Sequence, residues 1–126
     1  MSVFTDVEDF HIVFRQDAFK PITKERLEFR HNLLREEYKE VQAEYNNALT
    51  KNKEIDNINK QNLSKELCDL IYVAVGMGVT FGLPLEEVWN RTHKSNMSKN
   101  GGVREDGKVL KGEGYEPPVL RDLFDE

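Results

Sequence analysis

Cysteine is almost missing from this sequence. Cys68 stands alone among 126 residues, so no internal disulfide can form and a reducing cytoplasm is the expected compartment. Long apolar runs are missing too. The longest, around residues 70–83, is broken by Gly and Thr and is too short to span a bilayer. The opening MSVFTDVEDF carries acids where a secretory signal would carry a basic and then an apolar run. There is no excess of positive charge: 18 Lys+Arg stand against 23 Asp+Glu, a net charge of -5, which argues against general nucleic-acid binding. No G-x-x-x-x-G-K-[ST] occurs, which excludes a P-loop mechanism, and neither His-Glu-x-x-His nor paired cysteines occur, which disfavours zinc. Internal repeats and strand-like alternation are also lacking.

What is present suits a helix-rich soluble fold. Charged residues make up 33% and apolar residues 38%, with seven Phe, four Tyr and one Trp to bury. Thr5 and Glu8 read as a capping box opening a short helix from about Asp6 to Phe14, with Val7, Phe10 and Phe14 on one side. Thr23 reads as the N-cap of a long helix whose stripe is Leu27, Leu34, Tyr38, Val41, Tyr45 and Ala48. The Asn- and Lys-rich stretch 46–62 predicts a loop or frayed turn. A central helix is expected from Leu63 to Phe81, where Gly76 and Gly78 would let a neighbour approach closely. Gly82 suits its stop and Pro84 the first turn of a fourth helix, ended by Asn100-Gly101-Gly102. The expectation is an all-α bundle of four to five helices with an irregular C-terminal tail. It would be a single domain over 1–126, with a core at about 5–100 and a tail at about 101–120. A chain this small gains much from association, so an oligomer is expected.

The informative pattern is acidic. Glu36, Glu37 and Glu40 spell E-E-x-x-E; after 25 residues Glu66 and Asp69 spell E-x-x-D. Residues three apart on a helix share a face, so each motif aims carboxylates together beside an apolar stripe. Packed antiparallel, the two helices would bring at least four carboxylates into one cleft. Desolvating such charges costs several kcal/mol per ion unless something compensates. A divalent cation does so, and an all-oxygen donor set selects Mg²⁺ or Mn²⁺. The plain alternative is a solvated face, the usual fate of glutamate runs. It is weakened by the second motif and by the apolar surroundings of Glu66 and Asp69.

Residues 91–111 hold six bases against two acids, whereas residues 1–90 hold 11 bases and 16 acids. A basic segment beside an acid-lined cleft suits a polyphosphate, although these bases equally suit pairing with nearby acids. His93 and Asn96, one turn apart, suit either substrate contact or internal hydrogen bonding. Tyr72, one turn past Asp69, suits stacking on a base or core packing. His11 reads as structural or interfacial, and Cys68 as buried and inert.

Together the acid motifs, Phe10-His11, RHNLLREEYKE at 30–40, KELCDLIYVAVG at 65–76, FGLP at 81–84, HKSNMSK at 93–99 and DGKVLKGEGYEPP at 106–118 resemble the MazG-like all-α nucleoside triphosphate pyrophosphohydrolases. The likeness is to the phosphoribosyl-ATP pyrophosphohydrolase-like and dimeric dUTPase-like branch, over roughly residues 7–120. The resemblance implies cleavage of a (deoxy)nucleoside triphosphate between its α and β phosphates, with dGTP or dUTP as leading substrates. It implies two or three Mg²⁺ or Mn²⁺ ions on Glu37, Glu40, Glu66 and Asp69, with Glu36 orienting or deprotonating water or holding a further metal. Lys99, Lys108 and Lys111 would approach the phosphates, Asn96 and Tyr72 the sugar or base, and His93 is a further contact candidate. It also implies a homodimer or homotetramer sharing sites between protomers. The NGGVRE link between NMSK and DGK is short for the family. The rival reading is a non-catalytic helical module that binds nucleotide or metal for regulation.

Overall fold

Ser2, not Thr5, caps the first helix. The computed structural model describes residues 2–50 and 57–124, and α1 spans Val3–Val13. Ser2 is extended, its Oγ accepts from the Thr5 amide at 3.2 Å, and Thr5 Oγ1 accepts from the Ser2 amide at 3.0 Å. This pair offers the same reciprocal bonds as the expected Thr5–Glu8 box three residues earlier, so the helix begins earlier. Val7 and His11 are buried, whereas Phe10 and Phe14 stack on each other with ring centroids 4.7 Å apart and stay exposed.

The two long helices are α2, Lys24–Thr50, and α3, Asn57–Thr80. The Arg26 amide donates to Thr23 Oγ1 at 3.2 Å, as a cap at Thr23 requires. Both helices intrude on the stretch expected to fray: α2 continues through Asn46 and Asn47, and α3 begins at Asn57 rather than Leu63. Residues 51–56 of that expected loop lie outside the described residues. Tertiary packing overrides weak propensity here, since Asn59 is buried and Ala48 half-buried.

The face of α2 turned towards α3 differs from the expected stripe. Arg30, Leu34, Glu37, Val41, Glu44 and Ala48 are buried or half-buried, while Leu27, Tyr38 and Tyr45 are exposed, the two tyrosines by 56% and 58%. The spacing remains three and four, but the stripe is rotated by one residue at two of its positions. Acids therefore lie in the helix contact itself. Arg30 lies beside Gly76 and Glu40 beside Glu66, so the helices run antiparallel.

α1 packs on α3 as well. Gly76 makes this possible: a Cβ there would stand 3.1 Å from His11 Nε2 and 3.5 Å from Arg30 Nη1. The connector 14–23 returns over the end of α3, with the Phe19 and Lys20 amides donating to the Val79 and Thr80 carbonyls at 2.9 and 2.7 Å. Gly82, at φ 64°, closes α3, and the Leu83 amide donates to the Gly78 carbonyl at 2.8 Å.

The chain divides into two compact units, residues 1–83 and 84–126. In the second, α4 spans Leu85–Met97, ending three residues short of Asn100, with acids in its first turn and Lys94 in its last. The tail is more ordered than its turn signals suggest. Val103 and Val109 form an isolated antiparallel bridge around a turn at Gly107, φ 97°. The Gly114 amide donates to Asn100 Oδ1 at 3.2 Å, and a 3-10 turn covers Arg121–Leu123. Among the described residues the protein is all-α, with four α-helices, and no helix is long and apolar enough to cross a membrane.

Candidate metal centre

Glu37 and Glu40 from α2 meet Glu66 and Asp69 from α3. Each offers a carboxylate oxygen, and the four oxygens lie within 4.8 Å of one another. Glu37, Glu66 and Asp69 are half-buried and Glu40 is exposed, so the cluster is open to solvent on one side. Spacing of three along each helix puts each pair on one face, and the acid-bearing contact face of α2 half-buries Glu37.

Glu37 Oε2 and Glu66 Oε2 are buried without a hydrogen-bond partner among the described residues. The Glu66 carboxyl is pushed above the usual range, first by hydrogen bonding with Glu40, then by burial and by the charge of Glu40; Lys65 opposes this, and Asp69 adds to it. Crowded, partly buried carboxyls call for a compensating positive charge. Buried oxygens without partners and an all-oxygen donor set fit a hard divalent cation.

Two neighbours were not picked out in the sequence. Glu44, one turn past Glu40 on the same face, also holds a buried Oε2 without a partner among the described residues. Its signal was the spacing 37, 40, 44, which extends the first motif. Lys65 places its ammonium 2.8 Å from Asp69 Oδ2 and 3.7 Å from Glu66 Oε1; a lysine directly before E-x-x-D was its signal.

The other expected site residues fall as follows. Glu36 is exposed beside Glu37. Tyr72 is partly exposed and stacks edge-on against Phe10 at 5.3 Å. His93, Asn96, Lys99, Lys108 and Lys111 belong to the second unit. There Lys99 is half-buried, the other four are exposed, and Lys111 Nζ lies 5.0 Å over the Tyr115 ring. His11 is buried, its Nδ1 donating to the Asp17 carbonyl at 2.8 Å. Cys68 is exposed rather than buried.

An antiparallel helix pair carrying four converging carboxylates defines a class: an all-α domain with an acidic cluster whose donor set fits a hard cation. The phosphoribosyl-ATP pyrophosphohydrolase family model matches residues 7–96. The chain belongs to that family, and through it to the MazG-like all-α pyrophosphohydrolase superfamily. It is thus a pyrophosphohydrolase, a hydrolase acting on acid anhydrides, of a family that typically depends on metal. No curated protein matches the chain.

Proposed function

We propose that this protein is a Mg²⁺- or Mn²⁺-dependent (deoxy)nucleoside triphosphate pyrophosphohydrolase. It cleaves the α–β phosphate bond to release a monophosphate and pyrophosphate, and dGTP or dUTP is the leading substrate. The observation that carries this reading is the convergence of Glu37, Glu40, Glu66 and Asp69 within 4.8 Å, with buried oxygens on Glu37 and Glu66 unpartnered among the described residues. In this reading the four carboxylates hold two or three cations. Those ions, when bound, acidify water and neutralise charge on the α-phosphate and the leaving pyrophosphate. Glu36 orients or deprotonates the attacking water, beside the metal seat in sequence. Lys99, Lys108 and Lys111 neutralise phosphate charge, and Tyr72, His93 and Asn96 contact the base or sugar.

The whole chain acts as one functional domain in this proposal, in the cytoplasm and apart from nucleic acid and membrane. It works as a homodimer or homotetramer with sites shared between protomers. Surface composition supports the association. Among the described residues Val7 and Val75 are the buried hydrophobics, while Phe14, Phe19, Phe29, Tyr38, Tyr45 and Trp89 are exposed and available to a partner. The test is a panel of ribo- and deoxynucleoside triphosphates with Mn²⁺, assayed for pyrophosphate. Release from dGTP or dUTP above the others is expected. Binding without release from any of them would favour the regulatory module instead.

A further inference from the structure

Lys65 is ion-paired to the acid cluster. Its Nζ is 2.8 Å from Asp69 Oδ2 and 3.7 Å from Glu66 Oε1, and the charge of Glu40 also acts on it. Among the described residues it is the one ammonium or guanidinium in ion-pair range of the four-acid group. An exposed i,i+4 pair on a helix is ordinary and weak. This one differs in its acids. The Glu66 side chain is 16% exposed and that of Asp69 39%, whereas that of Lys65 is 70% exposed. The cation is exposed to water, and the anions are partly desolvated.

We propose that Lys65 is a built-in counter-cation that holds Asp69 in the metal-free protein and, displaced when a divalent ion takes that carboxylate, turns to the phosphates of the substrate. The proposal rests on the function proposed above and adds a residue to it. The charge logic is simple. A divalent ion on Asp69 Oδ2 replaces the lysine's hydrogen bond and repels its ammonium at close range. The freed group, a compact charge with three donors on a flexible stem, remains at the rim of the cluster, where a metal-bound polyphosphate would lie. The lysine thus has opposite effects on two ligands: it opposes the metal and assists the phosphate.

Two measurements on Lys65→Met and Lys65→Arg test this: Mn²⁺ titration of the metal-free protein by calorimetry, and pyrophosphate release at saturating Mn²⁺ with the triphosphate the wild type uses best. Lys65→Met is expected to bind Mn²⁺ about fivefold more tightly. Its KM for the triphosphate is expected to rise about tenfold, the loss falling on KM more than on kcat. Lys65→Arg, which keeps the charge, should stay within about twofold of wild type in both. Unchanged or weaker Mn²⁺ binding by Lys65→Met overturns the competition, and an unchanged KM overturns the phosphate role. If the wild type releases no pyrophosphate from any triphosphate, the functional reading falls and takes the phosphate role with it. The Mn²⁺ titration then still decides the competition. Circular dichroism confirms that the variants are folded, as expected for an exposed side chain.

Discussion

Acids meet opposite fates in the two units. In the second, Arg91 forks onto Asp122 at 2.6 and 3.0 Å and reaches Glu87 at 2.9 Å, and Arg104 Nε takes Asp106 at 2.8 Å. These guanidiniums hold Asp122 and Asp106 below the usual carboxylate range. On α2 and α3 the acids face one another, Glu66 is pushed above its ordinary value, and its Oε2 and that of Glu37 are buried without partners among the described residues. The same residue type is structural where an arginine completes it and chemically unfinished where another acid does. Charge counts cannot separate the two; partners do.

The largest way to break this contrast is to remove an unfinished acid. Glu66→Ala or Asp69→Ala should cut pyrophosphate release by at least about a thousandfold while the helical circular dichroism stays close to wild type. Full activity in either would erase the distinction between the two regions. Next in size is a change that disrupts the finished region. A Cβ on Gly101 would collide with the Lys111 carbonyl, so Gly101→Ala should cost about 3 kcal/mol in chemical denaturation. A smaller loss is expected on the α1–α2–α3 side. Gly76→Ala puts a methyl 3.1 Å from His11 Nε2, and the imidazole is tied to the Asp17 carbonyl and cannot easily yield. That strain should outweigh the gain in helix propensity and cost about 1 kcal/mol net.

The smallest effect is the sharpest comparison, because its sign differs between regions. The Asp122 carboxyl is held below 3.8, so its contribution is present above that pH and is lost as pH falls through the lowered value. The Glu66 carboxyl is held above 4.5, so its contribution is present below pH 4.5 and is lost as pH rises through the raised value. Melting temperatures in a chelator between pH 3 and 6 should therefore change oppositely in Asp122→Asn and Glu66→Gln relative to wild type. Changes of the same sign would show that the two acids are not differently partnered.

How far the sequence could be read follows from which interactions are local. The acid motifs were legible because spacing of three on a helix is a local fact. The exact contact face of α2 was not. The sets 34, 38, 41, 45 and 34, 37, 41, 44 share Leu34 and Val41, and only the partner helix decides between Tyr38 and Glu37. Apolarity favours the tyrosines, but packing selects the acids, and this is what half-buries them. The first cap was misread for a similar reason: Thr5 serves equally as the start of one box and the end of another. The ion pair of Arg91 with Asp122, 31 residues apart, has no local signature, so the basic segment could not be divided in advance into structural and free charges. Gly82 was legible, since a helix stop at positive φ calls for glycine.

Calorimetric titration of the chelator-treated protein with Mn²⁺, beside Glu40→Gln and Glu66→Gln, addresses the acid cluster most directly. The account predicts saturable binding by the wild type and a loss of at least about tenfold in affinity in each variant. Wild-type and variant proteins that bind Mn²⁺ equally, or not at all, would contradict it.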